Sequence, residues 1–90
     1  MDLSIVIVNH NTKKLTEQTI QSVFDTTKNI SYEVIVADNS TDPSQVLDMK
    51  DDRVKILKNL ENKGFGNACN IGTKVAIGKY ILYLNSLHLL

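Results

Sequence analysis

Apolar residues recur along this chain with two alternating periods. Leu3-Ser4-Ile5-Val6-Ile7-Val8 and, further on, Tyr32-Glu33-Val34-Ile35-Val36-Ala37 are nearly continuous runs rich in β-branched residues. That pattern suits strands buried on both faces of a parallel sheet. Between them Leu15, Thr19, Ile20, Val23 and Phe24 fall at helical spacing and predict a helix over 13–27. Its start is marked by a polar stretch in which Asn11 or Thr12 can act as the cap. Pro43 is placed to open a short helix running to Lys50, and Val54 to Leu57 reads as a third strand. Phe65, Ala68, Cys69, Gly72, Val75 and Ala76 return to three- and four-residue steps, predicting a helix over 65–77 with Gly78 as its stop signal. Tyr80 to Leu84 reads as a fourth strand.

The resulting order, β-α-β-α-β-α-β, predicts an α/β domain: a Rossmann-like parallel sheet of about four strands, helices on both faces, right-handed crossovers. In such open sheets a ligand sits beyond the carboxyl ends of the strands. Those ends carry Asn9, His10 and Asn11, then Asp38, Asn39 and Ser40, then Asn85 and Ser86. Three polar clusters distant in sequence are therefore expected to meet along one rim.

Each cluster has a functional and a structural reading. A carboxylate at Asp38 can accept hydrogen bonds from a base N–H or from ribose hydroxyls. It can equally close an Asx-turn on the backbone two residues on. Asn9, His10 and Asn11 can line a base pocket from the other side, or Asn11 can simply cap the helix. Gly64 and Gly66 stand in a glycine-rich entry to the 65–77 helix, where free N–H groups can receive a phosphate or the loop can simply pack tightly. The spacing is neither a dinucleotide fingerprint nor a P-loop. Cys69 shares the apolar helical face and reads as a small core residue.

Composition narrows the partners. The chain has 90 residues, a net charge of zero, 42% hydrophobic and 22% charged residues, which suits one soluble domain without a basic face for nucleic acid. Its single cysteine rules out an internal disulfide. No run approaches the roughly 18 apolar residues of a membrane helix, and no signal pattern opens the chain. These features point to a cytoplasmic protein, with membrane association left open for a longer enzyme.

Four segments together resemble the family 2 glycosyltransferases. Residues 4–11 are similar to that family's S-I-V-I-V-x-Y-N opening strand, and 33–42 to its E-I-I-V-V-D-N-x-S-x-D segment. Residues 62–72 match its N-x-G-x-G-x-A-x-N-x-G helix entry, and 78–85 its G-x-Y-I-x-x-L strand followed by Asp or Asn. The resemblance covers the whole chain and implies the N-terminal, nucleotide-sugar-binding part of a GT-A fold over 1–90. It implies inverting transfer from a UDP- or dTDP-linked sugar to an acceptor saccharide or lipid. It places Asp38 against the base, with Asn9 and Asn11 flanking it.

The match departs from the family at one chemically decisive position. The family's metal-binding aspartate, which holds Mg²⁺ or Mn²⁺ against the departing diphosphate, corresponds to Leu87 here. A leucine cannot ligate a metal, so no metal ligand is expected. The family's catalytic base and acceptor half lie beyond position 90, so no catalytic residue is expected either, and the chain alone is predicted inactive. The ending fits a truncation, a frameshift or a boundary within a longer chain. The alternative is a non-catalytic nucleotide-binding module, or one that self-associates through the uncovered side of its sheet.

Overall fold

A computed structural model describes residues 1–58 and 65–84. Its elements follow the expected order: β1 (Leu3–Asn9), α1 (Lys13–Thr26), β2 (Tyr32–Asp38), a 3-10 turn (Pro43–Gln45), β3 (Val54–Leu57), α2 (Phe65–Val75) and β4 (Tyr80–Leu84). The four strands form one all-parallel sheet in the order β3-β2-β1-β4. The α/β, Rossmann-like expectation is therefore met.

The central strands owe their burial to helices on both sides. Side chains alternate across a strand, so β1 and β2 each supply two apolar rows. Ile5, Ile7, Val34 and Val36 form one row, and with Ile20 and Val23 of α1 and Leu47 of the following loop they make the main core. The opposite row is covered by α2, which descends antiparallel to the strands. Near the carboxyl ends Ala68 packs with Val8 and Ala37. One turn on, a Cβ added to Gly72 would stand 2.7 Å from a Val6 methyl, so the missing side chain lets the helix lie close to the sheet.

Three local expectations need correction. The helix expected from Pro43 to Lys50 is only the 3-10 turn Pro43–Gln45. The chain then runs irregularly so that Leu47 can bury itself completely against the main core. The α2 helix stops at Val75, short of 77, and Gly78 is not left-handed. A Cβ at Gly78 would lie 2.5 Å from the Ser4 backbone nitrogen, so the glycine answers a need for space, not for a helix-ending conformation. Neither Asn11 nor Thr12 caps α1 through its side chain; Thr12 is the cap residue by position, and its hydroxyl makes no capping bond.

Candidate functional site

The parallel register sets Asn9 beside Asp38 at the carboxyl ends of β1 and β2. The two segments after them, 9–12 and 38–42, are knitted together by side-chain hydrogen bonds. Asn9 is the hub. It is fully buried, and its Nδ2 donates to Asp38 Oδ2 at 3.2 Å and to the Gln45 carbonyl at 2.9 Å. Its Oδ1 accepts from the Thr12 amide, the Thr12 hydroxyl and the Thr16 hydroxyl, each at 3.1 Å. The start of α1 is thus tied down by a side chain of the preceding strand, with Gln45 Oε1 accepting the Lys13 amide at 3.1 Å.

Asp38 is buried too. Its Oδ1 accepts the Ser40 amide at 3.1 Å, which is the Asx-turn, and its Oδ2 accepts the Leu47 amide at 2.7 Å. With the Asn9 bond, three of the carboxylate's roughly four acceptor positions are in use. Asn9 and Asp38 therefore spend most of their hydrogen-bonding capacity on the loops they hold.

His10 and Asn11 are exposed at the rim, as are Thr41 and Asp42 across from them. His10 Nδ1 lies 3.1 Å from the Asn39 carbonyl oxygen and 3.1 Å from its side-chain oxygen. An acceptor carbonyl at that distance requires the ring proton to sit on Nδ1. Asn39 itself is buried, and its amide donates to the Asn9 carbonyl at 3.1 Å, extending the β1–β2 pairing past the strand ends. Asn11 takes the left-handed conformation at φ 56°, which Asn tolerates better than most residues. In that pose its Oδ1 accepts the Thr41 and Asp42 amides at 3.1 and 3.0 Å, and its Nδ2 donates to the Thr41 hydroxyl at 3.0 Å. Its amide donates to the Ser40 hydroxyl at 2.9 Å.

Five of the eight expected site residues, Asn9, His10, Asn11, Asp38 and Asn39, are thus brought together. Gly66 lies in the first turn of α2. Gly64 and Asn85 fall outside the described residues, as does Leu87. Sequence reasoning placed Ser40 at the rim but missed Gln45 as one of its partners. Gln45 follows a proline-marked turn, and nothing in its local pattern shows which carbonyl or amide it will meet.

Among the described residues, no three His, Cys, Asp or Glu side chains come together in a way that could hold a metal ion. Burial pushes the Cys69 thiol above its usual range, which leaves it a poor nucleophile.

An all-parallel α/β sheet with a polar rim at its carboxyl ends defines a class of ligand-binding folds. Within that class the family description "Glycosyl transferase family 2" matches residues 4–86, and the chain belongs to that family. It is similar to the UDP-Glc:alpha-D-GlcNAc-diphosphoundecaprenol beta-1,3-glucosyltransferase WfaP of Escherichia coli, 37% identical over 93% of this chain and 34% of that protein. It is also similar to WfgD of Escherichia coli, which carries the same description, at 31% over 93% of this chain and 34% of the relative. Glycosyltransferase GlyG of Streptococcus pneumoniae is 32% identical over 93% of this chain and 29% of its own length. The chain therefore spans about a third of the length of these relatives.

Proposed function

We propose that this chain forms the nucleotide-holding part of the donor site of an inverting glycosyltransferase. The observation that carries the reading is the hydrogen-bonded junction of 9–12 with 38–42 at the carboxyl end of a family 2 sheet. The donor is a nucleotide-sugar, and a UDP-linked one is favoured over dTDP, because two relatives are described as using UDP-Glc. His10, Asn11 and the Ser40 segment offer the exposed groups for the base and ribose. Asn9, Asp38 and Asn39 hold them, with one acceptor position of Asp38 still open to a base N–H. Gly64, Gly66 and Asn85 complete the site toward the diphosphate. The acceptor is a lipid-linked saccharide, as in the descriptions of WfaP and WfgD. The enzyme then works at the cytoplasmic membrane face, although no helix among the described residues is long and apolar enough to cross a membrane.

The chain by itself binds nucleotide and transfers no sugar. With Leu87 in the cation position, its nucleotide binding does not depend on Mg²⁺ or Mn²⁺. Calorimetric titration of the pure chain with UDP, with and without Mg²⁺, tests the first part. Release of UDP from UDP-glucose in the presence of a lipid-diphosphate GlcNAc acceptor tests the second. Saturable, magnesium-independent binding with no UDP release is expected; turnover, or no binding at millimolar UDP, contradicts the reading.

A second reading rests on a specific observation. Tyr80, Ile81, Leu82 and Tyr83 of β4 are all exposed, and β4 is an edge strand among the described residues. An apolar open edge favours pairing between copies. Light scattering over a concentration series distinguishes the two: a clean monomer at all concentrations removes the self-associating reading.

A further inference from the structure

The sheet end opposite the rim holds a second buried polar cluster, which the donor reading does not use. Ser4 and Glu33 are register partners on β1 and β2, both buried, and they face α2. The Ser4 hydroxyl donates to Glu33 Oε2 at 2.6 Å. The same Oε2 accepts the Ile77 amide at 2.8 Å, and the Ser4 hydroxyl oxygen accepts the Gly78 amide at 2.8 Å. Lys55 of β3 closes the cluster, its Nζ lying 2.9 Å from Glu33 Oε1, which has no other partner among the described residues. Among the described residues, Lys55 is also the only charged side chain paired with Glu33.

The two captured amides are consecutive and belong to the connection between α2 and β4. A helix end leaves backbone groups without partners, and a buried one needs them supplied. Here one carboxylate oxygen and one hydroxyl bind the connection, and the close approach of Gly78 to the Ser4 backbone leaves no room for a side chain there. Among the described residues β4 pairs only with β1, and four of its five residues are exposed, whereas six of the seven residues are buried in each of β1 and β2. The joint thus fixes the connection between the carboxyl end of α2 and the start of β4, adding to the Ala68 and Gly72 contacts of the helix and to the β1–β4 ladder. The amino end of the same helix, with Gly66, stands at the rim, about 16 Å away at the rise of a parallel strand.

We propose that Glu33 is a positioning residue for the donor half-site, acting from the far end of the sheet by clamping the α2–β4 connection through Ile77 and, with Ser4, Gly78. The functional half of this inference rests on the donor-site reading above.

The test uses the full 90-residue chain and two readouts, amide hydrogen exchange and UDP affinity. Glu33→Gln keeps the shape but turns an amide NH₂ toward the Lys55 ammonium. Lys55→Met in the same chain removes that conflict and leaves an amide oxygen for Ser4 and Ile77. In Glu33→Gln, exchange in 65–84 should rise about tenfold with α1 unchanged, as for a local opening, and UDP affinity should fall severalfold. The double variant should restore both. Ser4→Ala, which removes the Gly78 acceptor and one donor to Glu33 but leaves the Ile77 and Lys55 bonds, should give a smaller change in the same segment and keeps the test usable if Glu33→Gln folds poorly. A uniform rise over the whole chain, no change in 65–84, or a local rise without loss of UDP affinity would overturn the proposal. If the parent chain binds no UDP, the donor reading falls and takes the positioning role with it. The exchange pattern then still shows separately whether the clamp exists.

Discussion

β2 and β4 are both apolar strands of one parallel sheet, yet they live in different surroundings. β2 lies between β1 and β3 with α1 on one face and α2 on the other; six of its seven residues are buried, Ile35 completely. β4 pairs with β1 alone, and four of its five residues are exposed, Tyr80 at 65%. A strand's own composition does not decide its burial; its place in the sheet does. The same contrast separates the two sides of the proposed donor site. The β1–β2 junction is built from buried partners on both sides, while β4 is held by its ladder to β1 and, at its entry, by the Ser4–Glu33 joint.

The largest expected effect comes from breaking the central strand. Ile35→Ala should destabilise the chain by about 3 to 4 kcal/mol, through lost burial and a cavity beneath α2. Urea unfolding followed by circular dichroism measures it, and a change below about 1 kcal/mol would mean the centre is not close-packed. Next, Asn9→Ala should cost about 3 kcal/mol in the same assay, because it strands the Gln45 carbonyl, one Asp38 acceptor and the Thr12 amide at once. Asn9→Ala should also loosen the rim for nucleotide, whereas Ile35→Ala should weaken binding only as far as it unfolds the chain.

A smaller effect is set by pH. Burial raises the Glu33 carboxyl, but the Ile77 amide, the Ser4 hydroxyl and Lys55 outweigh it, so its pKa falls below the ordinary 4.5. A depressed carboxylate contributes stability that is complete above its unfolded value and is lost as pH falls through the folded one. The stability gap between parent and Glu33→Gln should therefore be constant near neutrality and narrow below about pH 4.5. A gap that widens on acidification would contradict the clamp. The smallest effect is expected at the edge: Leu82→Ser should change stability by no more than about 0.5 kcal/mol. A loss of several kcal/mol, or a loss that grows with dilution, would mean that β4 is covered in solution by another copy.

Much of this fold was legible in the order of residues. The β-branched runs at 3–8 and 32–37 and the helical steps at 65–77 identified β1, β2 and α2 within two residues, because continuous burial leaves a strong local pattern. The 43–50 helix is not formed because Leu47 is placed by a tertiary demand, burial in the main core with its amide held by Asp38, that outweighs local periodicity. The rim was legible as a location, since strand ends can be read from a sequence. Its wiring was not: Asn9 bonds Gln45, 36 residues on, and such pairings depend on the register of two strands and the path of a loop. Ser4 and Glu33 did carry a signal, each being a polar residue within an apolar strand, but only the 29-residue register shows that they are neighbours.

The central claim, a nucleotide site at the β1–β2 rim, is tested most directly by an amide NMR titration of the chain with UDP, with and without Mg²⁺. Saturable shifts at His10, Asn11, Ser40 and Gly66, the same in either condition, and none at Lys28 or Asp51 are the predicted result. Shifts scattered over the surface, shifts confined to β4, or none at millimolar UDP would contradict it.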